Sequence, residues 1–211
     1  YQAVDSASLA PFANMMAQYK ALTRYAPYTV SFVGEKGVIP FDTIRTGKPE
    51  SKQYLMRITD AKINGTAAKI TFDTGAGVNV ITDSLANVYG LERLDAGAAA
   101  TGVATSAGSY TIAKELKLGN ITVKDVPFYV IDISSHHEEA DKYINTFEIV
   151  VGSELMLQLK DVTLDFTAKE IQVPRTVSSP SGVRPNMCFS SGMNLLASAE
   201  VNHQPILFNL D

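Results

Sequence analysis

The chain has 211 residues, of which 45% are apolar and 19% are charged, and its formal net charge is −4. This length suits one domain or one and a half, and the apolar share is enough for a buried core. There is no block of basic residues, so nucleic acid is not an expected partner. No apolar stretch reaches the length that a membrane span needs. A single cysteine, Cys188, excludes an internal disulfide framework.

The first 53 residues are predicted to form an N-terminal extension. Apolar side chains at helical spacing predict an amphipathic helix over residues 8–26, which Pro27 ends. This helix either packs on the outside of a β domain or is the last helix of a larger helical region upstream. Two apolar runs, 29–33 and 38–41, flank a pair of glycines and predict a hairpin.

Residues 54–174 are predicted to form a mostly β domain. Asn64-Gly65 is a strong signal for a tight hairpin turn. Short helices are expected over residues 83–89 and before Leu159. The other strands are predicted at 54–58, 67–72, 78–81, 110–112, 116–118, 121–123, 128–131, 149–151, 162–166 and 170–173.

One run, Asp73-Thr74-Gly75-Ala76-Gly77, lies between two apolar strand-like segments. A carboxylate is therefore held at a tight turn, where glycine permits close backbone approach. This turn resembles the active-site turn of the retroviral-type and pepsin-type aspartic proteases. A surface Asp-Thr-Gly turn is the alternative interpretation, and the apolar strands on both sides argue against it.

The resemblance implies a retropepsin-like lobe, a closed β barrel, and the chemistry of two carboxyl groups that share one proton. Two carboxyl groups at hydrogen-bonding distance do not both ionise easily, because their negative charges would repel each other. Aspartic proteases are the standard example of such a pair. The ionised carboxylate takes a proton from water, and the protonated partner polarises the scissile carbonyl. The resemblance implies that Asp73 supplies a carboxylate, that Thr74 bonds across to an opposing turn, and that the Gly75 amide donates to the carboxylate.

A second run, Val150-Val151-Gly152, fits the hydrophobic-hydrophobic-Gly segment that threads beside the catalytic turn in this family. Bacterial retroviral-like members often have Asp two residues after this glycine, where this chain has Glu154. The difference concerns the start of the helix that follows. Either acidic residue is favourable near a helix N-terminus.

A flap is the third expected part. Residues 100–110 lie between the two motifs and are small and glycine-rich, which suits a mobile lid. Together with Ala76 and Gly77, the flap residues Gly102, Val103 and Ala104 are predicted to bind substrate. A flexible surface loop is the alternative interpretation of this segment.

Residues 175–193 are rich in Ser, Pro and Gly and are predicted to be a linker. After it, residues 194–211 repeat an earlier pattern: Asn202 precedes Asp211 by nine residues, as Asn64 precedes Asp73. The repeat predicts the first hairpin of a second, incomplete lobe, with Asp211 as the partner acid. The alternatives are two unrelated hairpins, or a homodimer in which Asp73 of a second chain is the partner.

Other candidate sites are weaker. The run His136-His137-Glu138-Glu139 has no matching second cluster and is interpreted as a solvated loop rather than a metal site. Cys188 has no His and acid framework for a thiol nucleophile. We therefore expect neither a metal nor a cofactor.

The sequence thus predicts a bacterial aspartic endopeptidase acting on polypeptides, with one complete half-site and low activity as a monomer. The alternative is a catalytically silent module of the same fold that binds peptides by strand addition. The first residue is Tyr1, which is consistent with a removed leader or a trimmed chain. On that ground, and by family habit, we expect a secreted protein located in the periplasm or cell envelope.

Overall fold

The computed structural model describes residues 20, 22–25, 28–45, 54–94, 98–99, 107–131, 149–177, 182, 185–190 and 192–210. Two short helices are present, α1 (Asp83–Val88) and α2 (Ser153–Leu159). No helix in these ranges is long and apolar enough to cross a membrane. The strands are β1 (Thr29–Phe32), β2 (Lys36–Arg45), β3 (Tyr54–Ile58), β4 (Ala61–Ile63), β5 (Thr66–Ala67), β6 (Ile70–Phe72), β7 (Val80–Thr82), β8 (Ala98–Ala99), β9 (Ala107–Leu118), β10 (Ile121–Ile131), β11 (Ile149–Val151), β12 (Thr163–Asp165), β13 (Glu170–Pro174), β14 (Met187–Phe189), β15 (Leu195–Val201) and β16 (Gln204–Asn209).

The main sheet curls on itself. Its strand order is β12-β13-β2-β3-β6-β11-β7-β10-β9-β4-β5, with β1 paired to β10 and β8 paired to β9. Only two residues separate β3 from β4, yet the two strands lie on opposite sides of this order. The hydrogen-bonded ladder therefore returns to the segment from which it started, and the predicted mostly β, barrel-like lobe is confirmed.

The core fills the inside of this curled sheet. Apolar side chains alternate with exposed ones along β2, where Ile39 and Phe41 are buried and Asp42 is exposed. In β11 all three residues are buried, because the strand has neighbours on both edges. The largest fully buried side chains come from several strands and from α2: Phe41, Phe72, Phe128, Ile39, Ile63, Ile70, Ile81, Leu116, Leu118, Ile121, Ile149 and Leu155.

Several local predictions are confirmed. Asn64 and Gly65 both have positive φ angles, 49° and 83°, as a two-residue hairpin turn of the primed type requires. The helix predicted over 83–89 is α1, capped by the Thr82 side chain, which accepts a hydrogen bond from the Leu85 amide at 3.3 Å.

The hairpin predicted from residues 29–33 and 38–41 is wrong. β1 pairs with β10, with Phe32 opposite Ile121. Residues 36–40 of β2 pair with β13, and residues 41–45 pair with β3. The half of β2 that the hairpin would have paired with β1 thus pairs with β13 instead. Gly34 lies in the bend between the two strands, whereas Gly37 is part of β2, and the partner of each strand is decided by the rest of the sheet.

Much of the N-terminal prediction lies outside the described residues. In the helix predicted over 8–26, Lys20 and Leu22 are helical and residues 23–25 form a turn. The rest of that helix lies outside the described ranges, as does the run 136–139.

A second sheet of three strands, β14-β15-β16, follows the main sheet. Its first strand lies inside the segment predicted as a linker. Its hairpin repeats the register of the first lobe: Val201 pairs with Gln204 as Ile63 pairs with Thr66. At its turn, Asn202 and His203 again have positive φ angles, 51° and 61°. Any two-residue hairpin turn of this type has this pairing and these φ angles, so the repeat stays a prediction.

The two hairpins differ in what covers them. Ile63 and Ile70 of the first lobe have 0% exposed surface, whereas their equivalents Val201 and Phe208 are both 42% exposed. The first hairpin is thus part of a core, and the second presents the same kind of apolar face without one.

This difference gives a prediction about stability. Ile63→Ala should lower the free energy of unfolding by about 2–5 kcal/mol, because it leaves a cavity in a closed core. Val201→Ala, the matched change in the second hairpin, should cost less than about 1 kcal/mol. Urea denaturation of both variants and the parent measures the difference. Equal losses would show that the second hairpin is covered in solution.

Candidate active site

The Asp73 turn joins β6 to β7, and β11 lies between these two strands. Val151 pairs in parallel with Phe72 of β6, and Val150 pairs antiparallel with Val80 of β7. The turn therefore spans a strand that comes from far along the chain. This is the threaded position predicted for Val150-Val151-Gly152.

Asp73 is half-buried, and its backbone is fixed by the threaded strand. Its amide donates a hydrogen bond to the Val151 carbonyl at 3.0 Å. Its carboxylate oxygen Oδ1 accepts a hydrogen bond from the Gly75 amide at 2.8 Å, the bond anticipated from the sequence. This bond fixes the orientation of the carboxylate in the turn.

The residues that follow β11 clamp the turn. The Ser153 amide donates to the Ala76 carbonyl at 2.8 Å, and its hydroxyl donates to the Thr74 carbonyl at 3.4 Å. Gly152 lies so close to the turn that a Cβ there would collide with the Ala76 carbonyl oxygen. Only glycine fits this approach without displacing the turn.

Asn79, at the end of the turn, is fully buried and bonds to three separate segments. Its side-chain Nδ2 donates to the Pro127 carbonyl at 3.1 Å and to the Tyr28 hydroxyl at 3.3 Å. Its Oδ1 accepts from the Gly152 amide at 3.1 Å, and its carbonyl accepts from the Tyr129 amide at 2.8 Å. Both amide protons of the side chain are used, which is the condition for burying an asparagine at low cost.

Glu154 and Tyr28 form a pair behind the turn. Both lie beside Asn79, whose Nδ2 donates to the Tyr28 hydroxyl at 3.3 Å and whose amide lies 3.5 Å from Glu154 Oε2. Burial raises the pKa of Glu154, while the bonds from Tyr28 and Asn79 oppose that rise. Burial, followed by the charge of Glu154, raises the pKa of Tyr28, so the phenol stays protonated and acts as the donor. Glu154 thus does more than supply an acidic side chain at the start of α2.

The second sheet approaches the other side of the turn. A Cβ at Gly77 would collide with the Gly192 carbonyl, and Asn194 Oδ1 would lie 3.1 Å from it. Thr74 and Leu210 line one apolar cavity of about 410 Å³ between α2 and the second sheet. The turn is therefore packed between its own lobe and the second hairpin.

Some of the predicted site residues lie within the described ranges and others lie outside them. Asp73, Thr74 and Gly75 lie together in the turn with Ala76 and Gly77. The flap residues Gly102, Val103 and Ala104 lie outside the described residues, and so does Asp211. β8 pairs antiparallel with the start of β9, with Ala99 opposite Ala107. The two strands therefore flank the predicted flap segment.

Sequence reasoning missed Asn79 and Tyr28. Asn79 sits in an otherwise apolar run, Val78-Asn79-Val80-Ile81, and a polar residue inside such a run is a signal of a buried hydrogen-bonding role. Tyr28 gives no such signal, because its partners come from distant parts of the chain. Among the described residues, no group of three or more His, Cys, Asp or Glu side chains could hold a metal ion.

Comparisons with known proteins agree with this geometry. Residues 59–155 match a family model described as aspartyl protease. Among solved structures, the chain is similar to a retropepsin-like aspartic protease from Rickettsia conorii, with 14% identity, a TM-score of 0.43, and coverage of 71% of this chain and 96% of that one. It is also similar to the retroviral protease-like domain of Ddi1 from Leishmania major, with 14% identity, a TM-score of 0.37, and coverage of 65% and 90%. No curated protein matches the chain.

The contact at Gly152 gives a prediction. Gly152→Ala should destabilise the fold by about 1–3 kcal/mol, because its methyl group would push the Ala76 carbonyl and the turn outward. Thermal unfolding measures the loss. Gly192→Ala is a matched control, since a Cβ there would lie 3.8 Å from its nearest neighbours. A Gly152→Ala melting temperature equal to that of the control would contradict the predicted collision.

The buried carboxyl group predicts a pH-dependent stability. The pKa of Glu154 is raised from its ordinary value of 4.5 in the folded state. Its contribution to stability is therefore fully present below that value and is lost as the pH rises through the folded pKa. Glu154→Gln cannot titrate, so the unfolding free energy of the parent minus that of the variant should fall with rising pH.

Urea denaturation between about pH 4 and pH 8 checks this expectation. The exposed Glu92→Gln serves as a control that should show no such trend. A difference between the parent and Glu154→Gln that stays constant over this range would contradict the assigned burial effect.

Proposed function

We propose that this chain, whose residues 59–155 match the aspartyl protease family model, is an aspartic endopeptidase that contributes one half of a paired-carboxylate site. The family and the fold support a protease-like function. The finer assignment of Asp73 as the acting carboxylate is our inference from the turn and its contacts.

The observation that carries the proposal is the state of Asp73. Its backbone is tied to Val151, and its carboxylate is oriented by the Gly75 amide. A side chain held in this way is pre-organised, so little reorganisation is needed when charge moves during reaction. The bond from the Gly75 amide also occurs in ordinary Asx turns, and what distinguishes this turn is its attachment to the threaded strand β11.

Peptide hydrolysis at such a site needs a second carboxyl group. When two carboxyl groups share a proton, the ionised one removes a proton from water as the water attacks the scissile carbonyl. The protonated one donates to the carbonyl oxygen, and the protons are then passed on to the leaving amine. The titration belongs to the pair, so neither residue has a pKa of its own in this state.

For the second carboxyl group we propose Asp211, in a second lobe that begins with the β15–β16 hairpin. The matching registers of the two hairpins support this choice. Thr74 follows Asp73 and Leu210 precedes Asp211, and both line the same cavity. A homodimer that pairs Asp73 with its copy is the other arrangement compatible with the chemistry.

Asp73→Asn tests the function. The variant cannot act as a base, so peptide cleavage should fall by at least about 1,000-fold. Cleavage of an unstructured protein such as casein, followed by mass spectrometry of the fragments, measures it. Asp42→Asn is the matched control, because Asp42 is exposed on β2 and pairs with Lys169. Cleavage that survives in Asp73→Asn would exclude Asp73 as the acting carboxylate.

A parent chain that binds peptides without cutting them would support the silent peptide-binding module instead. Binding of a statin-type transition-state mimic, lost in Asp73→Asn and kept in Asp42→Asn, would locate the cleft at the turn even if turnover were slow.

A further inference from the structure

We propose that Tyr28 and Glu154 are positioning residues of the active-site turn, and that Tyr28, immediately before β1, is therefore part of the catalytic unit. The catalytic part of this proposal rests on the proposed function above. The structural part, that the two side chains hold the turn in place, stands on the contacts alone.

The connection runs through Asn79. Tyr28 accepts a hydrogen bond from Asn79 Nδ2, and the Asn79 amide lies 3.5 Å from Glu154 Oε2. Asn79 Oδ1 in turn accepts from the Gly152 amide. Gly152 follows Val151, whose carbonyl holds the Asp73 amide. A short series of hydrogen bonds, with the peptide bond between Val151 and Gly152, thus joins the Tyr28 hydroxyl to the backbone of Asp73.

Tyr28 comes from outside the region that matches the family model, residues 59–155. It immediately precedes β1, and Thr29 of that strand pairs with Lys124 of β10. The side chain packs against the hydrophobic core. The ladder with β10 therefore brings the phenol to the back of the turn, where Asn79 Nδ2 donates to it.

The chemistry explains why a polar pair is used at this place. A buried carboxyl group is costly unless donors reach it. The donors that reach Glu154 are the Tyr28 hydroxyl and the Asn79 amide, and the latter is distant at 3.5 Å. Tyr110 is the other titratable group that acts on this pair, through its interaction with Tyr28. Removal of the Tyr28 hydroxyl would leave Glu154 poorly solvated and free Asn79 Nδ2 from one partner.

The first measurement is kinetic and uses the full chain. Tyr28→Phe and Glu154→Gln should each lower kcat roughly tenfold, the effect of losing one charge-assisted hydrogen bond, while KM stays within about twofold. The double variant should be no worse than the poorer single variant, because both changes break the same connection. Tyr54→Phe is the matched control, since Tyr54 is 59% exposed on β3.

The second measurement does not depend on activity. Hydrogen–deuterium exchange of peptides covering residues 73–80 and 149–154 should become faster in Tyr28→Phe and in Glu154→Gln, and should be unchanged in Tyr54→Phe. Both test substitutions keep the size of the side chain, so the fold should be retained. Peptides from the β12–β13 hairpin, on the far side of the sheet, should exchange as in the parent.

The outcomes separate the two proposals. A parent chain that cleaves no peptide removes the proposed function, and the exchange data still decide whether the turn is held by Tyr28. Faster exchange with unchanged kcat would remove the catalytic part of this inference. If exchange and kcat in Tyr28→Phe and Glu154→Gln both equal those of Tyr54→Phe, the whole inference is overturned. This holds even if Asp73→Asn has confirmed the protease.

Discussion

The active-site turn depends on the burial of one amide side chain, that of Asn79. A turn that carries a carboxylate would be mobile if only its own residues held it, because short irregular segments bury little apolar surface. Asn79 removes that freedom by bonding to the Tyr28, Pro127 and Gly152 segments together with the Tyr129 amide. An apolar residue in its place would leave several buried backbone and side-chain groups without partners, and each of them costs free energy.

The threaded strand β11 supplies the other half of the support. It inserts between β6 and β7, so the two strands that flank the turn are separated by one strand and not joined directly. The gap gives the backbone room to carry Asp73 at the edge of the sheet. Gly152 and Ser153 hold the turn through their contacts with Ala76. Glycine is required at position 152 because the carbonyl of Ala76 occupies the space that a side chain would need.

The second sheet bears on our proposal that one lobe supplies half of a site. Among the described residues, its hairpin has no core to cover it, and Ile206, Leu207 and Phe208 are exposed along β16. Exposed apolar residues in a row are unusual on a free surface and typical of a surface that another element covers. The same sheet reaches the Asp73 turn at Gly77 and lines a cavity with Thr74. These contacts support the proposal that the partner acid lies on this side of the turn.

The sequence by itself determined the local features, because turn chemistry and strand alternation act between near neighbours. The Asn64-Gly65 hairpin and helix α1 could be predicted from residue type and spacing, and the Asp73 turn and the threaded glycine motif from the resemblance to a known family. Only the tertiary structure decided the partner of β1 and brought Tyr28 and Glu154 to Asn79. Those features depend on contacts between residues far apart in the chain, and a buried hydrogen bond of this kind leaves no periodic trace in the sequence.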